Sequence, residues 1–220
     1  DFRRLQLKQF PEAPERDTAE VRYWKRFAPK VLEKYHAPVT HIDVSQRGTF
    51  DYLVTTGTRL VMFDGVKHTV RKTFTYFKDT AYSGTFRADG SLVVAGGEAP
   101  IIKVFDVERR SMLRMMRGHS GSIRSVRFAR DSTHVLSASD DRTVRVWDIG
   151  TGKCECKLRG HGDYVRGVAL APATQPWSTF ATSSFDHTVR LWDARADAGS
   201  ACTMVLDHGA PVEQALWLPS

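Results

Sequence analysis

The stretch Gly118-His119-Ser120-Gly121-Ser122-Ile123-Arg124-Ser125-Val126-Arg127-Phe128, continued by His134-Val135-Leu136-Ser137-Ala138-Ser139-Asp140-Asp141-Arg142-Thr143-Val144-Arg145-Val146-Trp147-Asp148, decides the architecture. Ile123–Phe128, Val135–Ser139 and Thr143–Asp148 read as three strands, and Cys154–Leu158 as a fourth. Val144 and Val146 alternate with Thr143, Arg145 and Trp147, while Cys154, Cys156 and Leu158 alternate with Glu155 and Lys157, the period of a pleated strand. Asp140-Asp141-Arg142 and Gly150-Thr151-Gly152 supply tight turns between them. No helical period of useful length interrupts the run.

The stretch is one copy of a repeat. Phe63-Asp64, Phe105-Asp106, Trp147-Asp148 and Trp192-Asp193 follow one another at spacings of 42, 42 and 45 residues, each closing a strand-like run. Gly118-His119 and Gly160-His161 are again 42 apart, and Asp207-His208 opens another unit 47 residues later. Four strands per unit, with Gly-His near the start and Trp-Asp ending the third, resemble the WD repeat of β-propellers. The expected fold is therefore all-β, a WD-repeat β-propeller. Blades are expected at about 37–74, 78–115, 118–158 and 160–206, with the start of the next at 207–220. Four full blades and an opening do not close a seven-bladed ring, so the chain is expected to be an N-terminal part of a longer protein or to be ordered only in part. Residues 1–30, with Pro11, Pro14 and Pro29, read as an extended arm with a short helical turn near Thr18–Trp24. Val31–Tyr35 then stands before His36, where the family's ring-closing outer strand (31–36) belongs.

The resemblance also implies a buried hydrogen-bonded set of His, a strand-b hydroxyl, the turn Asp and the strand-c Trp. In one blade these are His119, Ser137, Asp141 and Trp147, with Ser139 an alternative hydroxyl. In the next they are His161, Thr182, Asp186 and Trp192. A blade has no private core, and a polar group buried without a partner costs about 1–3 kcal/mol. The second blade departs from the pattern. Phe77 or Lys78 stands in place of His, Ala99 in place of the turn Asp and Phe105 in place of Trp, so apolar packing alone must hold it.

Composition agrees with a packed, water-facing chain. Of 220 residues, 41% are hydrophobic and 26% charged, and the longest apolar runs, such as Leu60–Phe63 and Leu92–Ala95, are far short of the ~20 residues a membrane-spanning helix needs. No membrane partner is expected. Thirty-two Lys and Arg against 25 Asp and Glu give a net charge of +7, which favours acidic partners; the excess is diffuse. Three cysteines, two of them Cys154 and Cys156, read as reduced thiols of an intracellular protein. The N-terminus does not read as a secretory signal.

The sequence offers little chemistry. His119, His161 and His208 recur with the repeat and are explained by it. His36, His41, His68, His134 and His187 lack a second ligand at the spacing of a zinc site. Gly150-Thr151-Gly152-Lys153 lacks the spacing of a phosphate loop. No nucleophile stands beside a sequence-near base. The expectation is a non-enzyme with no cofactor and no metal. A propeller offers instead a rigid face of loops. By family geometry that face holds Thr80, Tyr82 and Glu98 in the second blade, Ser122, Arg124 and Asp140 in the third, and Tyr164, Arg166 and Phe185 in the fourth. Tyr and Arg are enriched at interface hot spots, so Arg124, Tyr164 and Arg166 stand out.

Particular phrases go further. Tyr23-Trp24, Lys72-Thr73-Phe74, Phe77-Lys78-Asp79-Thr80-Ala81-Tyr82, Thr85-Phe86-Arg87, Leu92-Val93-Val94-Ala95-Gly96 and Gly160-His161-Gly162-Asp163-Tyr164-Val165-Arg166 together resemble the U-three-protein WD-repeat subunits numbered fifteen, of the UtpA group of the small-subunit processome. The resemblance covers about residues 20–195. It implies a nucleolar scaffold in a hetero-oligomeric complex with other UtpA WD-repeat subunits. Pre-ribosomal RNA and the U three small nucleolar ribonucleoprotein would be partners, directly or through neighbours, with a role in 18S rRNA maturation. The alternative is a WD-repeat adaptor of another class, a ubiquitin-ligase substrate receptor or a signalling scaffold.

Overall fold

The computed structural model describes residues 19–26, 31–45, 48, 50–197 and 199–217. The chain divides into a unit of residues 1–34 and a unit of residues 35–220. In the first, α1 (Ala19–Lys25) carries an edge-to-face Tyr23–Trp24 pair with ring centroids 5.3 Å apart. The helix falls where the arm was expected to carry a short helical turn, near Thr18–Trp24; residues 1–18 and 27–30 of that arm lie outside the described residues. Val31–Tyr35, expected as a ring-closing strand, forms no strand.

The second unit is four antiparallel sheets of four strands, each sheet strictly sequential. The first is β1 (Val39–Val44), β2 (Tyr52–Thr56), β3 (Arg59–Phe63) and β4 (Val70–Phe74). The second is β5 (Ala81–Phe86), β6 (Leu92–Gly97), β7 (Ile101–Asp106) and β8 (Met112–Arg117). The third is β9 (Ile123–Phe128), β10 (His134–Ser139), β11 (Thr143–Asp148) and β12 (Cys154–Arg159). The fourth is β13 (Val165–Leu170), β14 (Thr179–Ser184), β15 (Thr188–Asp193) and β16 (Cys202–Asp207). Residues 208–217, expected to open a further blade, hold no strand. The sheets contact one another through their first strands, β1 against β5, β5 against β9 and β9 against β13. That is the arrangement of consecutive propeller blades about an axis.

Alternation along the strands explains why the sheets stack. Strand side chains point to opposite faces, so a sheet between two others needs apolar residues on both. Val93 and Ala95 of β6 join the core between the first and second sheets, while Val94 joins the core between the second and third. Val135 of β10 faces that same core, and Leu136 and Ala138 face the next one with Val165, Val168, Phe180 and Trp192. Burying a side chain such as Leu136 contributes about 1.5–3 kcal/mol. These three cores lie between blades, so each blade relies on a neighbour for most of its apolar packing.

Candidate functional site

The polar set of the third sheet is assembled from β10, β11, the connection before β9 and the turn before β11. Trp147 Nε1 donates to Ser137 Oγ at 2.9 Å, Ser137 Oγ lies 2.7 Å from His119 Nε2, and His119 Nδ1 lies 2.8 Å from Asp141 Oδ2. With a neutral imidazole and an ionised carboxylate, one proton arrangement satisfies all three contacts. The indole N–H donates to the serine oxygen, the serine O–H donates to Nε2, and the Nδ1–H donates to the carboxylate. The fourth sheet repeats the chain through Trp192, Thr182, His161 and Asp186 at 2.8, 2.8 and 2.8 Å. Both imidazoles are sealed in, with side-chain exposures of 0% and 1%. Ser139 is not the central hydroxyl. It accepts from Asp141 N at 3.1 Å and donates to Gly121 O at 3.0 Å, and so shapes the turn.

The relay ends on a saturated carboxylate. Asp141 also accepts from Ser120 N, Thr143 N and Thr143 Oγ1 at 3.1, 3.0 and 2.6 Å. Asp186 accepts from Gly162 N, Thr188 N and Thr188 Oγ1 at 2.9, 3.0 and 2.7 Å. Burial pushes the Asp141 carboxyl up, but the hydrogen bonds from His119 and Thr143 outweigh it and hold the group far below the ordinary carboxylate range. For Asp186 burial is again opposed, chiefly by Thr188, Gly162 and His161, with the same outcome. Burial lowers the pKa of His161 more than Asp186 raises it, which keeps the ring neutral as the proton arrangement requires. Thr143 and Thr188 escaped the sequence reading; their equal spacing of two residues after each turn Asp was the available signal.

The nine face candidates fall into three equivalent triplets. Glu98 N donates to Thr80 O, Asp140 N to Ser122 O and Phe185 N to Tyr164 O, at 2.8, 2.9 and 3.0 Å. The third member of each, Tyr82, Arg124 and Arg166, projects from the innermost strand, and these join into a ladder across three blades. The Arg124 guanidinium lies 4.3 Å over the Tyr82 ring and places Nε and Nη2 at 2.8 and 2.7 Å from Asp140 Oδ2. Arg166 Nη1 lies 3.8 Å from Asp140 Oδ1, its guanidinium 4.6 Å over Phe185, and its Nε donates to Glu213 at 3.1 Å. The hydrogen bond to Asp140 holds the Arg124 pKa above its ordinary value. Tyr164 stands beside this ladder, 44% exposed, while Thr80, Ser122 and Glu98 contribute backbone carbonyls or amides to the turns.

A cavity of about 380 Å³ opens beside the ladder, bordered by Thr40, His41, Tyr82, Arg124, Arg127 and Arg166. Arg127 Nη1 lies 3.2 Å from Asp43 Oδ1 and Nη2 3.3 Å from His41 Nε2, while His41 Nδ1 reaches Gly84 O at 3.0 Å. Burial and the Arg127 charge lower the His41 pKa. This link across three sheets was invisible in sequence, because His41 and Arg127 are 86 residues apart.

Among the described residues, His134, Asp148 and Glu155 each place one potential metal-ligand atom within 4.8 Å of the others. The sequence reading missed the group because it searched for ligands within one turn, whereas β10, β11 and β12 bring these side chains together. Both nitrogens of His134 already face carboxylates, Asp131 at 2.5 Å and Glu155 at 2.9 Å, and its ring stacks on Trp177 at 4.1 Å. The cluster reads as a fastening of the loop before β14 to the third sheet. Cys154, Cys156 and Cys202 are free, and burial pushes the first two thiols up, away from thiolate reactivity.

Four stacked four-stranded sheets with a repeated Trp–Ser/Thr–His–Asp relay define a WD-repeat protein, and the WD domain, G-beta repeat family matches residues 110–148 and 152–193. Similarity to individual proteins extends over the whole chain. It is 37% identical over 219 residues to U3 small nucleolar RNA-associated protein 15 homolog of Xenopus laevis, covering 100% of this chain and 42% of that protein. The homologue of Danio rerio is 42% identical over 219 residues, covering 100% of this chain and 41% of its own length. U3 small nucleolar RNA-associated protein 15 of Saccharomyces cerevisiae is 35% identical over 223 residues, covering 97% and 42%. The chain is thus a WD-repeat homologue, over its whole length, of U3 small nucleolar RNA-associated protein 15, and it spans about 42% of the length of the Xenopus laevis and Saccharomyces cerevisiae relatives.

Proposed function

We propose that this protein is a non-catalytic scaffold of the nucleolar small-subunit processome. It supports transcription and processing of pre-ribosomal RNA, and maturation of 18S rRNA, through protein–protein contacts with other WD-repeat subunits of the UtpA group. The observation that carries the reading is the whole-chain similarity to proteins named for association with U3 small nucleolar RNA. The geometry supports a scaffold. Each relay histidine has both nitrogens engaged and is sealed from solvent, so it is held for structure and has no free position for proton transfer to a substrate. The Tyr82–Arg124–Asp140–Arg166–Phe185 ladder is preorganised by ring and carboxylate contacts, so a partner meeting it immobilises few free side chains. The proposed partner-binding face is this ladder with Thr80, Glu98, Ser122 and Tyr164 around it.

Affinity purification of the full-length protein from nuclear extract, with sequencing of the RNA and mass spectrometry of the proteins, tests the reading. Enrichment of U3 RNA, 18S precursors and sibling WD-repeat subunits is expected. Recovery of ubiquitin-ligase or signalling components without U3 RNA would replace it with the adaptor alternative.

A further inference from the structure

The second sheet has lost every member of the relay, and a cavity stands in its place. Strand register and turn hydrogen bonds align the second sheet with the third: Ala95 pairs with Lys103 as Ser137 pairs with Arg145, and Glu98 N bonds Thr80 O as Asp140 N bonds Ser122 O. In that alignment Phe77 replaces His119, Ala95 replaces Ser137, Ala99 replaces Asp141, Ile101 replaces Thr143 and Phe105 replaces Trp147. The aromatic replacements close on one another, with Phe105 centred 5.2 Å from Phe74, 5.6 Å from Tyr76 and 6.1 Å from Phe77. The exchange of a multiply bonded aspartate for Ala99 removes bulk at the turn, and nothing in the blade refills it. A cavity of about 430 Å³ opens there, walled by Phe77, Ala99, Ile101, Met112 and Met115.

Its rim is cationic. Lys78, Lys103 and Arg117 border it against one acid, Asp79, and among the described residues none of the three cations forms a salt bridge. Lys103 Nζ donates to Tyr76 O at 2.6 Å and lies 4.4 Å over the Phe77 ring, contacts that hold the ammonium at the opening without neutralising it. Burial lowers its pKa, Asp79 opposes the shift, and the charges of Lys78 and Arg117 add to it, so the single acid at the rim leaves room for an arriving carboxylate. Thioether and aliphatic walls adapt to a large apolar side chain. A nucleic-acid base would find the inner aromatic face occupied, because the Lys103 ammonium covers Phe77.

We propose that this cavity is a docking pocket for an acidic linear segment of a partner protein. One large apolar side chain of the segment enters between Phe77, Ile101, Met112 and Met115, and carboxylates on either side of it meet Lys78, Lys103 and Arg117. The pocket is distinct from the arginine ladder and does not depend on the processome assignment.

The probes are fluorescein-labelled twelve-residue peptides with a single central Leu, Phe or Trp between Asp- and Glu-rich flanks, titrated with the full-length protein and read by fluorescence anisotropy. Acid-flanked peptides with at least one of the three centres are expected to bind at least tenfold more tightly than peptides with a central Ala or with Lys-rich flanks. Arg117→Glu and Met115→Glu, both at exposed positions, should each weaken binding at least tenfold with an unchanged melting temperature. Arg159→Glu, the corresponding rim position of the third blade, should leave it within twofold. The proposal is overturned if none of the three centres shows this discrimination, if the variants bind as the wild type does, or if a twelve-nucleotide single-stranded RNA binds more tightly and is lost in the same variants.

Discussion

Removing the carboxylate at Asp186 strands four donors at once, and their exposures set the cost. Gly162 N lies at an exposed position and recovers its hydrogen bond with water, so it contributes little. His161 Nδ1–H, on a ring with 1% side-chain exposure, has no such recourse. The Thr188 N–H and O–H are part-buried and lose acceptors at 3.0 and 2.7 Å. With about 1–3 kcal/mol for a fully buried unsatisfied donor and less for the part-buried pair, Asp186→Ala should cost about 3 kcal/mol. Urea unfolding of the full-length protein, followed by tryptophan fluorescence, measures the loss directly. With a slope of about 2–3 kcal/mol/M, the midpoint should fall by roughly 1 M at unchanged slope. Asp207→Ala, whose carboxylate accepts from the exposed Gly209 N at 2.9 Å and, among the described residues, from no other donor, should stay within about 0.5 kcal/mol of the parent. An Asp186→Ala midpoint indistinguishable from that of Asp207→Ala would refute the claim that the relay holds the blade together.

The same groups set the acid limb of the stability curve. His161 and His41 titrate below their ordinary value of 6.5 in the folded protein, so the unfolded chain binds more protons there, and stability should decline as pH falls below about 6.5. Asp141 and Asp186 are depressed below 3.8; their stabilisation is complete above that pH and is lost as pH falls toward their folded values, so urea midpoints between pH 7 and 3 should fall in two stages. A midpoint that rises on acidification would contradict both signs. Two glycine substitutions separate a close backbone approach from open space. A Cβ at Gly97 would sit 2.2 Å from the Thr80 carbonyl oxygen, whereas one at Gly162 would meet only Asp186 Cβ at 3.7 Å, an ordinary contact. Gly97→Ala should therefore cost about 2–3 kcal/mol and Gly162→Ala about 0.5 kcal/mol or less in urea unfolding, and the reverse order would show that the Thr80 backbone yields without cost.

The WD-repeat propeller fold was legible because it is periodic. Thr143–Asp148 alternates, ends in Trp-Asp, and recurs 45 residues later, and the resemblance to the WD repeat that this period carries implied both relays. What escaped depends on contacts between blades or across a sheet. Arg127 reaches His41 and Asp43 across three sheets, and His134 meets Glu155 across two strand pairings; neither distance leaves a local signature. Val31–Tyr35 has the apolar and aromatic character of a strand but forms none here; the last blade of the ring, which it is expected to close, is not among the four sheets described. The substitution of Phe77, Ala99 and Phe105 for the relay was readable from sequence, but the cavity it leaves was not, because void volume is a property of packing.

In the proposed scaffold a rigid blade array presents an arginine ladder to protein partners. The double variant Arg124→Glu/Arg166→Glu, purified from nuclear extract with quantification of sibling WD-repeat subunits and U3 RNA, tests that role most directly. At least a tenfold loss of both is expected from a protein that still unfolds cooperatively in urea, since the ladder lies outside the buried relays. Full retention of those partners by the folded double variant would contradict the proposed role of the ladder.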